Sequence, residues 1–72
     1  MKIADKVKET VKSQGLLEDD NKIKRLDSID MIDLLVELEK ATGISIPSAS
    51  FREEMFESID SLTRLFEQFE DN

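Results

Sequence analysis

Residues 26–47 read L-D-S-I-D-M-I-D-L-L-V-E-L-E-K-A-T-G-I-S-I-P, and the fold turns on how this stretch is divided. Ser28 is a favourable residue just before a helix, Asp30 suits the positive end of its dipole, and Gly43 suits a left-handed stop. The stretch therefore predicts a helix over Ser28–Thr42. Placing side chains about 100° apart gives two apolar stripes rather than one. Met31, Leu34, Leu35 and Leu38 form the first, while Ile29, Ile32 and Val36 form the second. Asp30, Asp33 and Glu37 fill the remaining arc, with Lys40 beside them. One stripe suffices to pack a small core. The other is then partly exposed and rimmed with carboxylates, as protein-docking surfaces are; a central helix touched on two sides by its neighbours gives the same pattern.

Outward from this helix, the rest of the chain also reads as helical. One Pro, two Gly and few alternating β-branched runs argue for an all-α fold. Ile3, Val7 and Val11 recur at four-residue intervals and predict a first helix over residues 2–14, stopped by Gly15. Leu16 to Asp27 form a long polar loop held to the core by Leu16, Leu17, Ile23 and Leu26. Beyond Gly43, Ile44 is placed to fold back onto Leu38, and Pro47 breaks the chain again. Phe51 to Met55 have room for one or two short helical turns. Ser58 then caps a last helix carrying Ile59, Leu62, Phe66 and Phe69 on one face.

The chain has 72 residues, and its Ile, Leu, Val, Met and Phe total 25. That supports one core and no second one, so residues 1–72 are expected to form a single domain of modest stability, about 4–11 kcal/mol. There is no Cys and no His. Disulfides, thiolate nucleophiles, zinc sites and the usual general base are all missing, which argues against an enzyme and against a resident metal. The acidic run Glu18-Asp19-Asp20-Asn21 lacks the spaced oxygen ligands and the glycine of a calcium loop.

Charge is unevenly spread. Residues 1–25 carry seven Lys or Arg against five Asp or Glu, whereas residues 26–72 carry three against twelve. The acidic part repels phosphate backbones and favours basic protein surfaces, so protein partners are expected and nucleic acid is not. The start, Met1-Lys2-Ile3-Ala4-Asp5-Lys6, has no apolar run; the expectation is a cytoplasmic protein without a membrane segment.

Ser28 is the one nucleophile of interest, with no His to activate it. Lys24 is a poor base at its ordinary pKa, and Asp27 can orient a hydroxyl or help hold a metal supplied by another protein. Ser28 is then either a helix cap or the substrate of another enzyme. A phosphate would be favoured at such a helix start.

These residues resemble an acyl carrier protein. The resemblance rests on Asp27-Ser28 opening an acidic and aliphatic helix, on Gly43 followed by Ile44-Ser45-Ile46-Pro47, and on F-E-S-I-D-S-L at residues 56–62. It covers nearly the whole chain. It implies an all-α four-helix bundle, three main helices plus a short third helix, with a long first loop. It further implies that Ser28 receives 4′-phosphopantetheine from coenzyme A through a magnesium-using phosphopantetheinyl transferase, with Asp27, counted beside Ser28 at the cofactor-binding site, meeting basic residues on partner enzymes. The arm's thiol would carry acyl or aminoacyl groups as thioesters between a loading enzyme and downstream synthases in fatty-acid, polyketide or related biosynthesis, with the protein acting as a monomer. Partner contacts would fall on Ile29, Asp30, Ile32, Asp33, Val36 and Glu37, while Leu34, Leu35 and Leu38 would face the core and any buried acyl chain. The alternatives are a D-alanyl or other aminoacyl carrier, which residues 47–58 resemble in spacing, and an unmodified acidic interaction module.

Three positions depart from the family pattern. Ile29 follows the serine where Leu is usual, Lys22-Ile23-Lys24-Arg25-Leu26 is basic and lacks a common Gly, and Thr42 stands where many members have Phe. Thr42 must bond its hydroxyl to Leu38 or Glu39. With Phe51 and Phe56 adding bulk, the expected cargo is short or polar.

Overall fold

The computed structural model describes residues 2–70. It contains three α-helices, α1 (Ile3–Ser13), α2 (Ser28–Thr42) and α3 (Ile59–Gln68). Short 3-10 turns lie at Asp19–Asn21, Ser48–Ser50 and Glu53–Phe56. Helix α1 packs against both α2 and α3, and the turn at Glu53–Phe56 packs against α3 and α2. No strand is present among the described residues.

The sequence reading of α1 over residues 2–14 is one residue too long at each end. Lys2 and Gln14 are the flanking residues, and Gly15 follows in the left-handed region at φ 74°. Val7 and Val11 are fully buried. The long loop is tied down as its apolar residues suggested: Ile23 is buried, and Leu16, Leu17 and Leu26 pack half-buried against the core. Backbone pairing, which the sequence did not announce, fixes its course. Lys24 N–H donates to Leu16 O (2.7 Å) and Ile23 N–H to Glu57 O (3.0 Å), so the loop bridges the end of α1 and the start of α3.

In α2, Leu34 and Leu38 are fully buried, and Met31 and Leu35 half-buried beside them. Gly43 ends the helix at φ 72°, its N–H donating to Glu39 O (2.8 Å). Thr42 satisfies its hydroxyl by donating to Leu38 O (2.7 Å) and accepts from Ile44 N–H (3.2 Å). That second bond turns the chain so that Ile44 joins the core containing Leu38.

The short third helix takes the form of two 3-10 turns. Phe51, expected inside a helical turn, is extended between them (φ −71°, ψ 126°). Its ring packs against Phe56 with centroids 5.3 Å apart at a 45° tilt, a contact worth about 0.5–1.5 kcal/mol beyond its burial. Ser58 caps α3 in a reciprocal arrangement with Ser61 (Ser61 N–H to Ser58 Oγ, 3.1 Å). The buried face of α3 is broader than the predicted stripe. Leu65 and Thr63 are buried with Ile59, Leu62 and Phe66, while Phe69 follows the helix as a half-buried end residue.

Candidate functional site

The approach to α2 is extended, and Asp27 (φ −84°, ψ 177°) is the residue that caps it: its carboxylate accepts Asp30 N–H at 2.8 Å. This corrects the reading of Ser28 as the cap. A carboxylate reaches the free N–H groups of the first turn as well as a hydroxyl does and adds charge complementarity to the dipole. Ser28 is consequently the first helical residue. It is exposed, and among the described residues its Oγ makes no hydrogen bond. A free hydroxyl therefore sits where the positive end of a helix dipole favours an attached phosphate.

The surroundings are crowded with negative charge. Asp30 is fully exposed, yet its carboxyl is pushed above its ordinary value of 3.8. The charge of Asp27 is the main cause, followed by desolvation, a hydrogen bond shared with Asp27, and the charge of Asp33. Glu37, one turn on, is drawn to Lys40 (3.8 Å), a surface pair of little energetic weight. Among the described residues no group of carboxylates is placed to hold a metal ion.

The second apolar stripe of α2 is open to solvent: Ile29, Ile32 and Val36 are 72%, 54% and 40% exposed. Such large side chains in one exposed line, bordered by Asp30, Asp33 and Glu37, form the surface the sequence suggested. Of the residues singled out from sequence, the structure thus gathers Asp27, Ser28 and Asp30 at the head of α2 and sets the apolar strip along its outer side.

Two depressions are lined in part by residues of α2. One of about 350 Å³ is lined by Ile32, Leu35, Glu39, Ile46, Ser48 and Phe51. Glu39 shapes it by accepting Ile46 N–H at 2.7 Å, which holds the segment after Gly43 over the helix. Glu39 was missed in the sequence because it reads as one more surface carboxylate; its signal was a position beside Leu35 and Leu38, one turn before the stop. A larger depression of about 710 Å³ includes Leu26 and Met31, which bracket Ser28 in sequence, with Lys22, Arg25, Glu53, Glu54, Phe56 and Ser58 around it. Arg25, Phe56 and Ser58 gain this place only through the loop bridging to α3.

The three-helix scaffold thus leaves one unengaged hydroxyl at the start of α2, with open grooves and an apolar strip along the same helix. The family model described as the phosphopantetheine attachment site matches residues 3–66, and the chain belongs to that family. Its members are non-catalytic and hold 4′-phosphopantetheine covalently. No curated protein and no solved structure gives a significant match. The residues at the head of α2 fit such a group: Ser28 offers an accessible oxygen, and the capping by Asp27 leaves it unengaged. Among the described residues no helix is long and apolar enough to cross a membrane.

Proposed function

We propose that residues 1–72 act as one carrier domain in which Ser28 bears the 4′-phosphopantetheine arm. A separate magnesium-dependent phosphopantetheinyl transferase installs the arm from coenzyme A. When bound, the arm supplies the thiol that this Cys-free chain lacks, and that thiol holds an acyl or aminoacyl group as a thioester. The observation that carries the assignment is the capping of α2 by Asp27, which leaves the Ser28 hydroxyl exposed and unused.

The chain's own residues divide the remaining work. Asp27 holds the helix start in place. Ile29, Ile32 and Val36 supply apolar contact to loading enzymes and synthases, and Asp30, Asp33 and Glu37 meet basic residues on them. The turns at residues 48–56 stand in the place of the short third helix of a four-helix carrier. The cargo is a short or polar group: the Phe51–Phe56 pair adds aromatic bulk beside those turns, and Thr42 sits half-buried with its hydroxyl bonded inside the helix. A well-packed core this small has little space for a long alkyl chain.

The test is intact-mass measurement after incubation with coenzyme A and a broad-specificity phosphopantetheinyl transferase. A single pantetheine-sized gain, mapped to Ser28 by peptide fragmentation, is the expected result. No gain would favour an unmodified interaction module, and a gain on another serine would overturn the site.

A further inference from the structure

A phosphodiester on Ser28 would add negative charge to a helix start already holding Asp27, Asp30 and Asp33. The first turn of α2 contains no cation to offset it. The nearest positive charges in the chain come just before it, and Arg25 is singled out among them. Arg25 is exposed and forms no ion pair among the described residues, where the pairs are Lys40–Glu37 and Arg64–Asp60. It lines the same depression as Leu26 and Met31, the residues that bracket Ser28; Lys24 does not, and Lys22, which does, lies six positions before Ser28 rather than three. Arg25 and Ser28 are three positions apart in the chain, so their Cα atoms are at most about 11 Å apart. A guanidinium also presents paired N–H donors that match two phosphate oxygens, which a lysine ammonium does not.

We propose that Arg25 is a positioning residue for the prosthetic group: its guanidinium pairs with the phosphodiester on Ser28 and directs the arm toward the depression lined by Leu26, Met31 and Phe56. The inference rests on Ser28 being the attachment residue. Its floor, Ile23, Leu26, Met31 and Phe56, is apolar, and its rim carries Glu53, Glu54 and Glu57 as acceptors for amide N–H groups. An arm built of amides and short alkyl segments is matched by such a lining. The pairing would offset the charge that the phosphodiester adds beside Asp27, Asp30 and Asp33.

The test compares apo and holo forms of the wild type, Arg25→Gln, Arg25→Lys and Lys2→Gln. Lys2→Gln removes the same charge at the far end of α1, beside Glu67 and Glu70. Conversion with coenzyme A and a broad-specificity transferase is followed by intact mass, and thermal midpoints are read at low and high salt. The holo-minus-apo midpoint difference is expected to drop by about 1–4 °C in Arg25→Gln relative to wild type at low salt. It should be partly restored in Arg25→Lys, unchanged in Lys2→Gln, and smaller in high salt. Equal differences in wild type and Arg25→Gln at low salt, with conversion complete, would overturn the pairing. Should Arg25→Gln resist conversion, the wild type decides alone: the Arg25 side-chain N–H resonance must shift between apo and holo, and an unmoved resonance overturns the proposal. Failure of the wild type to gain mass would instead overturn the assignment of Ser28, and this inference with it.

Discussion

Replacing Asp27 and Ser28 in turn separates the residue that holds α2 from the residue proposed to carry the arm. Asp27→Ala removes the acceptor of Asp30 N–H, the 2.8 Å bond at the helix start. Loss of such a cap costs about 1 kcal/mol, within a range of about 0.5–2. For a domain of this size each kcal/mol moves the thermal midpoint by about 4–8 °C. Ser28→Ala removes a hydroxyl that bonds nothing among the described residues, so its effect should stay within about 0.5 kcal/mol. Asp27→Ala also takes a negative charge away from Asp30, which offsets part of the cap loss. Asp27→Asn therefore completes the series: Asn caps about as well as Asp, and the lost charge–dipole interaction is offset by the relief of Asp30, so this variant should melt close to the wild type and above Asp27→Ala. Circular dichroism melts give the order, and intact mass after transferase treatment gives the function. Ser28→Ala should fold and gain nothing, while Asp27→Asn should fold and still be tested for loading. If Ser28→Ala lost as much stability as Asp27→Ala, the capping assignment would be wrong. A pantetheine-sized gain by Ser28→Ala would remove Ser28 from its role.

Reversing Asp33 and Glu37 to Lys should slow loading by a basic transferase about tenfold at low ionic strength while leaving the melt nearly unchanged. Added salt should shrink the gap, and identical rates at low salt would count against this face. The raised Asp30 pKa sets a pH dependence of definite sign. The folded protein takes up this proton before the unfolded chain does, so the contribution to stability is present below the ordinary value of 3.8 and is lost as pH rises through the folded value. Asp30→Asn should thus gain most over wild type near neutral pH in urea titrations, with a gain that fades on acidification; a pH-independent gap would refute the crowding. For the cargo, acyl groups of increasing length loaded on the arm should raise the thermal midpoint only while short. A midpoint still rising with long chains would show that they are buried.

Helix periodicity divides the apolar residues of α2 into two stripes, and tertiary contact decides which of them is buried. Leu34 and Leu38 became core while Ile29, Ile32 and Val36 stayed outside among carboxylates, and the angular arithmetic of the helix separates those sets without tertiary information. Gly43 and Ser58 were legible for a similar reason, since left-handed stops and hydroxyl caps are local chemistry. The cap of α2 was misassigned because Asp27 and Ser28 are both good capping residues, and only the backbone angles at residue 27 decide between them. The extended Phe51, the carboxylate of Glu39 on Ile46, and the bridge from Ile23 to Glu57 are tertiary outcomes with no periodic signature.

The misassigned cap also explains why two adjacent capping residues occur together. Had Ser28 capped the helix, its hydroxyl would have been bound to the backbone, and derivatising it would have cost the helix a cap. With Asp27 in that place, the helix start is held by a side chain other than the one proposed to be modified. The same carboxylate is the main reason Asp30 resists ionisation, so the arrangement carries an electrostatic penalty in the free protein. Exposed carboxylates in water relieve such a penalty through solvent and salt, and a basic partner relieves it further on docking. In the proposed carrier the crowded head of α2 therefore favours association with cationic surfaces, and helix integrity and attachment chemistry fall to neighbouring residues that can be altered one at a time.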